Sequence, residues 1–406
     1  LTAMTFLVRP PSLRRRPRVG PAARQDQREL DRQRLRAVGS TNRLAWMTTW
    51  PQNQWFHGGA VHGYLAHRVH AGVAIGLCDP VGVDDAERAG LLREFADRAH
   101  RRGLVPCVFA ASAGTAAAAA TMGWRIMPVG EEAVLELAGL TFQGKAWQDI
   151  RTALNHAGRR EIRVEIDRLD ELPADLQRQV AEISCGWTTG RRLPELGFTL
   201  GGLDEAADPE VRVAVAVDAA GLVHGVTSWL PSHRPSDGTV VGWTLDVMRR
   251  RQGDQAFRAV MELLIAASLL RFRDEGCDWA SLSASPLAQT GAAAQPDTPR
   301  RTAGVDLVLR RIAAQLEPFY GFRSLHAFKA KFSPRFEPLY LVYPDDLALP
   351  RISVALTRAY LPDVRLRDIA ALRRRPRPAS PAQASTPRPT RALSTAAASS
   401  APSIDT

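Results

Sequence analysis

Lysine is almost missing from this chain. Of its 53 basic Lys and Arg residues only three are lysine: Lys145, Lys329 and Lys331. A composition that writes Arg nearly everywhere yet places two lysines two residues apart marks that segment, because a compact ammonium and a planar guanidinium do not replace each other at a tight polar site. Cysteine is scarce as well. Cys78, Cys107, Cys185 and Cys277 are widely spaced and form no CxxC pair, which argues against a disulfide framework or a zinc site and fits a reducing compartment. His67 and His70 stand near each other without a Cys or carboxylate cluster, so no metal centre is expected. Long hydrophobic runs are also lacking. Residues 104–124 carry no charge, but Pro106 and many small residues make their transfer into lipid weak. A buried strand followed by an Ala-rich helix suits them better. Residues 263–270 fall far short of the ~20 apolar residues of a spanning helix. No signal peptide is evident, and the leading Leu1 points to an unusual start codon or a missing upstream segment. The expected location is cytoplasmic, with peripheral docking on the inner face of the membrane as a further expectation.

What is present is ordinary globular composition, 45% hydrophobic and 23% charged over 406 residues, a length that suggests two or three domains. The net charge of +11 sits at the ends: residues 1–43 hold eleven Arg against three acids, and residues 372–406 hold six Arg against Asp405. Basic arms of this kind attract anionic lipid or nucleic acid without specificity, or serve only as solubilising tails. The expected organisation is a basic, mostly disordered arm (1–43, with a short helix at 25–38), a first domain (44–140), a linking helix (141–160), a second domain (161–350), a terminal helix (351–371) and a disordered Pro/Ala/Ser-rich tail (372–406).

Periodicity predicts the same order of elements twice. In the first half come a strand at 72–78, an amphipathic helix at 84–102 with Asp84 and Asp85 suited to its cap, a strand at 104–110, a helix at 113–122 and a strand at 132–137. In the second half, strands at 211–217 and 223–230 precede a longer strand at 240–248, a turn at 249–254, a helix at 255–274, a strand at 279–284 and a helix at 305–319. Two strands close it, at 326–332 and 338–343. Strand, turn, helix, strand, helix, strand resembles the core of the GCN5-related acetyltransferase (GNAT) fold, in which central strands splay and an acyl donor enters the gap. The repeat predicts an α/β (α+β) chain of tandem GNAT-like domains, mixed central sheets flanked by helices. Periodicity alone fits a generic α/β sandwich equally.

The chemistry is expected after the long strand of the second half. Members of that fold that use coenzyme A hold its phosphates on a Gly-rich loop. Here the loop reads RRQGDQA at 250–256, with one Gly and an Asp where an anion would dock. That weighs against an acyl-CoA donor. An aminoacyl ester on tRNA is the other activated donor; it needs carboxylates for its amino group and cations for phosphate. Asp246, Glu262, Arg249 and Arg250 flank the gap, and on a strand Lys329 and Lys331 would face one side.

Further motifs occur in order across residues 45–350: GLCDPVG (76–82), GEEA (130–133), FQGK (142–145), LPELGFTLG (193–201), LDVMRR (245–250), Met261 with Glu262, SPL (285–287) and FKAKFSP (328–334), preceded by Tyr320. In these the chain resembles the synthase domain of the bacterial multiple peptide resistance factor, the phosphatidylglycerol lysyltransferase family. The resemblance implies transfer of an aminoacyl group from aminoacyl-tRNA to the hydroxyl of an anionic phospholipid at the membrane surface, with no cofactor beyond the donor substrate. It implies Asp246, Glu262 and Lys329 as catalytic residues, and Arg249, Arg250, Lys331, Glu195 and Tyr320 as substrate-binding ones. Departures are Phe336 where an indole is usual, SLSA at 281–284 in place of a Gly-rich strand, and neither membrane spans nor a fused synthetase. A GNAT-type N-acyltransferase using acyl-CoA and a non-catalytic lipid- or tRNA-binding relative are the competing readings. Oligomeric state is left open.

Overall fold

Runs of Val, Ala and Leu bounded by Gly, Asp and Pro build strands here, and longer amphipathic runs build helices. The structure, a computed structural model, describes residues 21–59, 63–189, 197–235, 237–254, 256–286 and 322–361. In the first half these are helix α1 (Pro21–Val38), strands β1 (Gln54–His57), β2 (Tyr64–His70) and β3 (Val73–Leu77), helix α2 (Asp85–Arg101), strand β4 (Val105–Ala111), helix α3 (Ala113–Thr121) and strand β5 (Arg125–Glu136). Helix α4 (Gln148–Arg159) links the halves. The second half runs β6 (Arg163–Asp167), α5 (Ala174–Thr189), α6 (Leu203–Ala206), β7 (Arg212–Val217), β8 (Val223–His233), β9 (Val240–Arg250), α7 (Val260–Asp274), β10 (Trp279–Pro286), α8 (Phe322–Ala330), β11 (Arg335–Tyr343) and α9 (Leu349–Tyr360).

Local chemistry accounts for the boundaries. Asp84 caps α2 by accepting the Glu87 N–H, acids fill the first turn and Arg98, His100 and Arg101 the last, so both ends complement the helix dipole. Asp218 accepts the N–H groups of Ala220 and Leu222 and Gly221 takes φ +79°, which turns β7 into β8. The uncharged stretch 104–124 becomes buried β4 and Ala-rich α3, and no helix among the described residues is long and apolar enough to cross a membrane.

The strands form one mixed sheet in the order β1-β2-β3-β4-β11-β5-β10-β9-β8-β7-β6. The two repeats are therefore interleaved. β11, the last of the described strands, lies between β4 and β5 of the first repeat, and β5 pairs with β10 of the second. The boundary expected at 141–160 separates the repeats in sequence only; both lie in one compact unit, Leu1–Asp363. Val213, Val215 and Val217 of β7 pack with α5, whereas Ala214 and Ala216 pack with α7, so those two helices cover opposite faces of the sheet.

Four expectations change. Residues 326–332 are not a strand: α8 covers Phe322–Ala330. The segment HAFKAKF alternates like a strand, but Leu325, Phe328 and Phe332 also recur at helical spacing, and Phe328 and Phe332 pack into the core beneath α7. The helix expected from 255 begins at Val260, so Glu262 stands in its first turn. The helix expected at 25–38 is present but starts at Pro21, and it is packed rather than part of a loose arm. Its arginines are engaged: Arg32 pairs with buried Asp208, Arg36 with Glu210, and Arg28 donates to the Thr49 carbonyl at 2.6 Å. Strand β5 starts at Arg125, earlier than expected, because it borders both repeats. Glu195, Tyr320, the helix expected at 305–319 and the tail at 372–406 lie outside the described residues.

Candidate active site

Strands β9 and β10 run parallel and pair at Gly242–Trp279, Trp243–Ala280 and Thr244–Ser281. Beyond that level each carries an extra residue. On β9 the register with β8 shifts between Leu245 and Met248, and the Val247 N–H donates to the Ser228 hydroxyl instead of a ladder carbonyl. On β10 the register with β5 shifts between Ser281 and Ala284, with Ser283 at φ +65°. Bulges bend and twist the strand that bears them; two at the same level part the neighbours and open a gap. In the first repeat β4 carries a comparable bulge: its register with β11 shifts between Val108 and Ala111, with Ala110 at φ +59°. β3 and β4 stay paired from Val73–Val105 to Leu77–Phe109, the Cys78 N–H continues the ladder onto Phe109, and Tyr64 exchanges two backbone bonds with Val81.

Asp246 lies at the β9 bulge. Its Oδ1 accepts the Gly201 N–H at 2.9 Å, and its buried Oδ2 has no hydrogen-bond partner among the described residues. A Cβ on Gly201 would sit 2.0 Å from that Oδ2 and 3.2 Å from Glu205, so only glycine lets the loop close over the carboxylate. Burial, opposed by the Gly201 hydrogen bond and helped by the nearby Glu205 charge, raises Asp246 to about 7.

Lys329 borders the gap from the other rim. The residue is 2% exposed, and its Nζ donates to the carbonyls of Ser283 (3.0 Å) and Ala284 (2.9 Å) at the β10 bulge. Burial lowers it to about 7, against the opposing pull of Glu132. Glu132 is buried beside it and accepts from the Ser281 hydroxyl at 2.6 Å; burial is the largest influence and moves its carboxyl upward.

The two lysines do not share an environment. Two residues of helix turn a side chain by about 200°, so Lys331, just past α8, is exposed and pairs with Glu262 at 2.9 Å. That pair belongs to the α7 face. Asp246 and Arg249 belong to the opposite one: Arg249 is buried and donates to Ser184 of α5, while Asp246 is held by the loop before α6. Arg250 ends β9 and is exposed. Glu262 and Lys331 thus meet each other, Asp246 and Lys329 flank the gap, and Asp246 touches none of the predicted cations among the described residues.

On the α5–α6 face a cavity of about 510 Å³ is lined by Trp50, Arg68, Ser184, Phe198, Glu205 and Arg249, among others. Arg68 donates to Asn53 at 2.9 Å and lies over the Phe198 ring. The site expectation did not include Arg68 or Glu205. Glu205 accepts the Gly202 N–H at 2.7 Å, the half of a capping box that a glycine N-cap permits, legible in GGLDE once a helix is assigned at Leu203; nothing local marks Arg68. In the loop after β9 the N–H groups of Arg251, Ala256 and Phe257 bond to His224 O, Gly253 O and His224 Nδ1.

A protein of Corynebacterium glutamicum that carries no functional name is 37% identical over 325 residues, covering 80% of this chain and 40% of that protein. The phosphatidylglycerol lysyltransferase of Bacillus subtilis is 27% identical over 268 residues, 66% of this chain and 29% of the relative. This chain therefore spans two fifths or less of these relatives' lengths. The structure of L-PGS from Bacillus licheniformis superposes with a TM-score of 0.69 at 21% identity, covering 82% of this chain and 96% of the other, which establishes the shared fold. The family model described as phosphatidylglycerol lysyltransferase, C-terminal, matches residues 32–343, and the chain belongs to that family.

Proposed function

We propose that the chain is an aminoacyltransferase module that moves an amino acid from aminoacyl-tRNA to a hydroxyl of an anionic membrane lipid, phosphatidylglycerol. The observation that carries this reading is the pair of bulges where β9 and β10 stop pairing, with the Asp246 carboxyl at one and the Lys329 ammonium held on the carbonyls of the other. A lipid hydroxyl is a weak nucleophile and needs a base. In this reading the Asp246 carboxylate takes the hydroxyl proton as the oxygen attacks the ester carbonyl. The bond to the ribose oxygen of the tRNA breaks, and the departing ribose hydroxyl recovers the proton. Lys329 has three donors and uses two on carbonyls; the third is directed at the oxyanion of the tetrahedral intermediate. Arg68 and Arg249 supply positive charge on the cavity side, and Arg250, Lys331 and Glu262 border the route for the donor. Family membership supports the lipid acceptor. The single Gly253 and the acidic Asp254 in the loop after β9 weigh against acyl-CoA.

The test is reconstitution. Purified protein, total charged tRNA carrying labelled amino acids and phosphatidylglycerol vesicles should yield label in the lipid extract, and ribonuclease treatment of the tRNA should abolish it. Absence of transfer from any charged tRNA, together with tight acetyl-CoA binding, sinks the proposal in favour of an acyl-CoA enzyme. This experiment also tests peripheral attachment, since active protein should sediment with anionic but not with neutral vesicles.

A further inference from the structure

We propose that Glu132, contributed by the first repeat, is a positioning residue for Lys329: its carboxylate fixes the ammonium at the mouth of the gap and keeps it charged. The inference rests on the reading that Lys329 serves the transfer step. Glu132 stands on β5 directly opposite Ala284 of β10, and such cross-strand partners lie about 5 Å apart at Cα. The carbonyls of Ala284 and its neighbour Ser283 are the ones that hold the Lys329 ammonium. The carboxylate is itself fixed. It is 3% exposed, and Oε1 accepts from Ser281, the last residue of β10 to pair with β9. Glu132 thus marks the apex from which the strands diverge.

A purely structural role, as counter-ion to Arg43, is the competing account. Arg43 meets Glu132 only at 3.5 Å, whereas it donates to both oxygens of Glu337, at 2.9 and 3.3 Å. Glu337 is thereby the principal partner of Arg43, and Glu132 keeps charge to act on Lys329. Among the described residues, other charged groups nearby are engaged with each other: Arg335 with Glu337 at 2.7 Å, and His326 of α8 with Glu131 at 3.2 Å. The consequence reaches the architecture. The gap between β9 and β10 belongs to the second repeat, yet the group that tunes its lysine comes from the first, on a strand inserted beside β10.

The scarcity of lysine makes the test direct. With three lysines in the chain, protein carrying carbon-13 at lysine Cε gives three resonances, assigned with Lys145→Arg and Lys331→Arg. Glu132→Gln should move the titration midpoint of Lys329 downward by about one to three units, the range for loss of a close opposite charge, and leave Lys331 unmoved. Glu132→Asp, which retracts the carboxylate by one methylene, should give a smaller shift in the same direction and decides the matter should the Gln variant fail to fold. An unchanged Lys329 midpoint in these variants overturns the proposal. In the lipid-transfer assay the alkaline limb of kcat/KM should move to lower pH by the same amount. Wild-type protein without transfer activity would instead refute the functional reading, while the resonance shift still reports on Glu132 and Lys329.

Discussion

At the scale of single residues, Asp246 combines three unusual conditions: a buried oxygen without a described partner, a second carboxylate nearby, and a glycine held against it. Its carboxyl is raised from 3.8 to about 7, so folding favours the protonated form. The stability that this contributes is complete below about pH 4 and disappears as pH climbs through 7. Asp246→Asn should therefore match the parent in thermal stability at pH 4 and exceed it at pH 8, on the order of 1–3 kcal/mol, while transfer falls by about 10²–10⁴-fold. Melting curves across that range check the first half and the lipid assay the second; parallel curves would remove the perturbed carboxyl from the mechanism. The residue was legible in LDVMRR as a carboxylate followed by cations. Its separation from Arg250 was not, because the Asp246–Val247 bulge breaks the alternation that would have put those two on one face.

At the scale of elements, the end of α8 separates two lysines that the sequence sets side by side. Alternating Phe, Lys, Ala and Lys fits a strand, and the helical spacing of Leu325, Phe328 and Phe332 fits a helix equally. The outcome follows from packing, since β11 and β10 already occupy both flanks of β5 in the sheet. The split predicts different costs. Lys331→Gln breaks a pair whose side chains are 38% and 16% exposed, and such pairs contribute about 0–1 kcal/mol, so stability should barely change and transfer should fall less than about tenfold. Lys329→Gln removes the ammonium held on the bulge carbonyls and should cost about 10²–10³-fold in kcat, the scale for losing an oxyanion donor. Equal effects of the two substitutions in steady-state assays would mean that the helix end acts as a diffuse basic patch instead.

For the whole molecule, the interleaving of β5 and β11 makes the repeats inseparable, and α1 ties the N-terminal segment to the second repeat. Arg32 and Asp208 are both buried, with Arg28 at 3.7 Å from the same carboxylate. Removing one partner of such a pair leaves an uncompensated charge, so Arg32→Met should lower stability by about 3 kcal/mol, and adding Asp208→Leu should restore most of it. Denaturant unfolding measures both. A loss under about 0.5 kcal/mol for Arg32→Met would show that α1 is dispensable to the fold.

Sequence alone determined the α/β class, the doubled order of elements, the α2 cap and the strand that bears Asp246, because these depend on neighbours a few residues away. It also carried the family resemblance, through short motifs kept in order. Tertiary structure decided where β9 and β10 part, that residues around Lys329 coil into a helix, and that Glu132 of one repeat reaches the gap of the other. Each of those depends on which distant strand fills a place in the sheet, a choice made by backbone pairing across hundreds of residues rather than by local propensity.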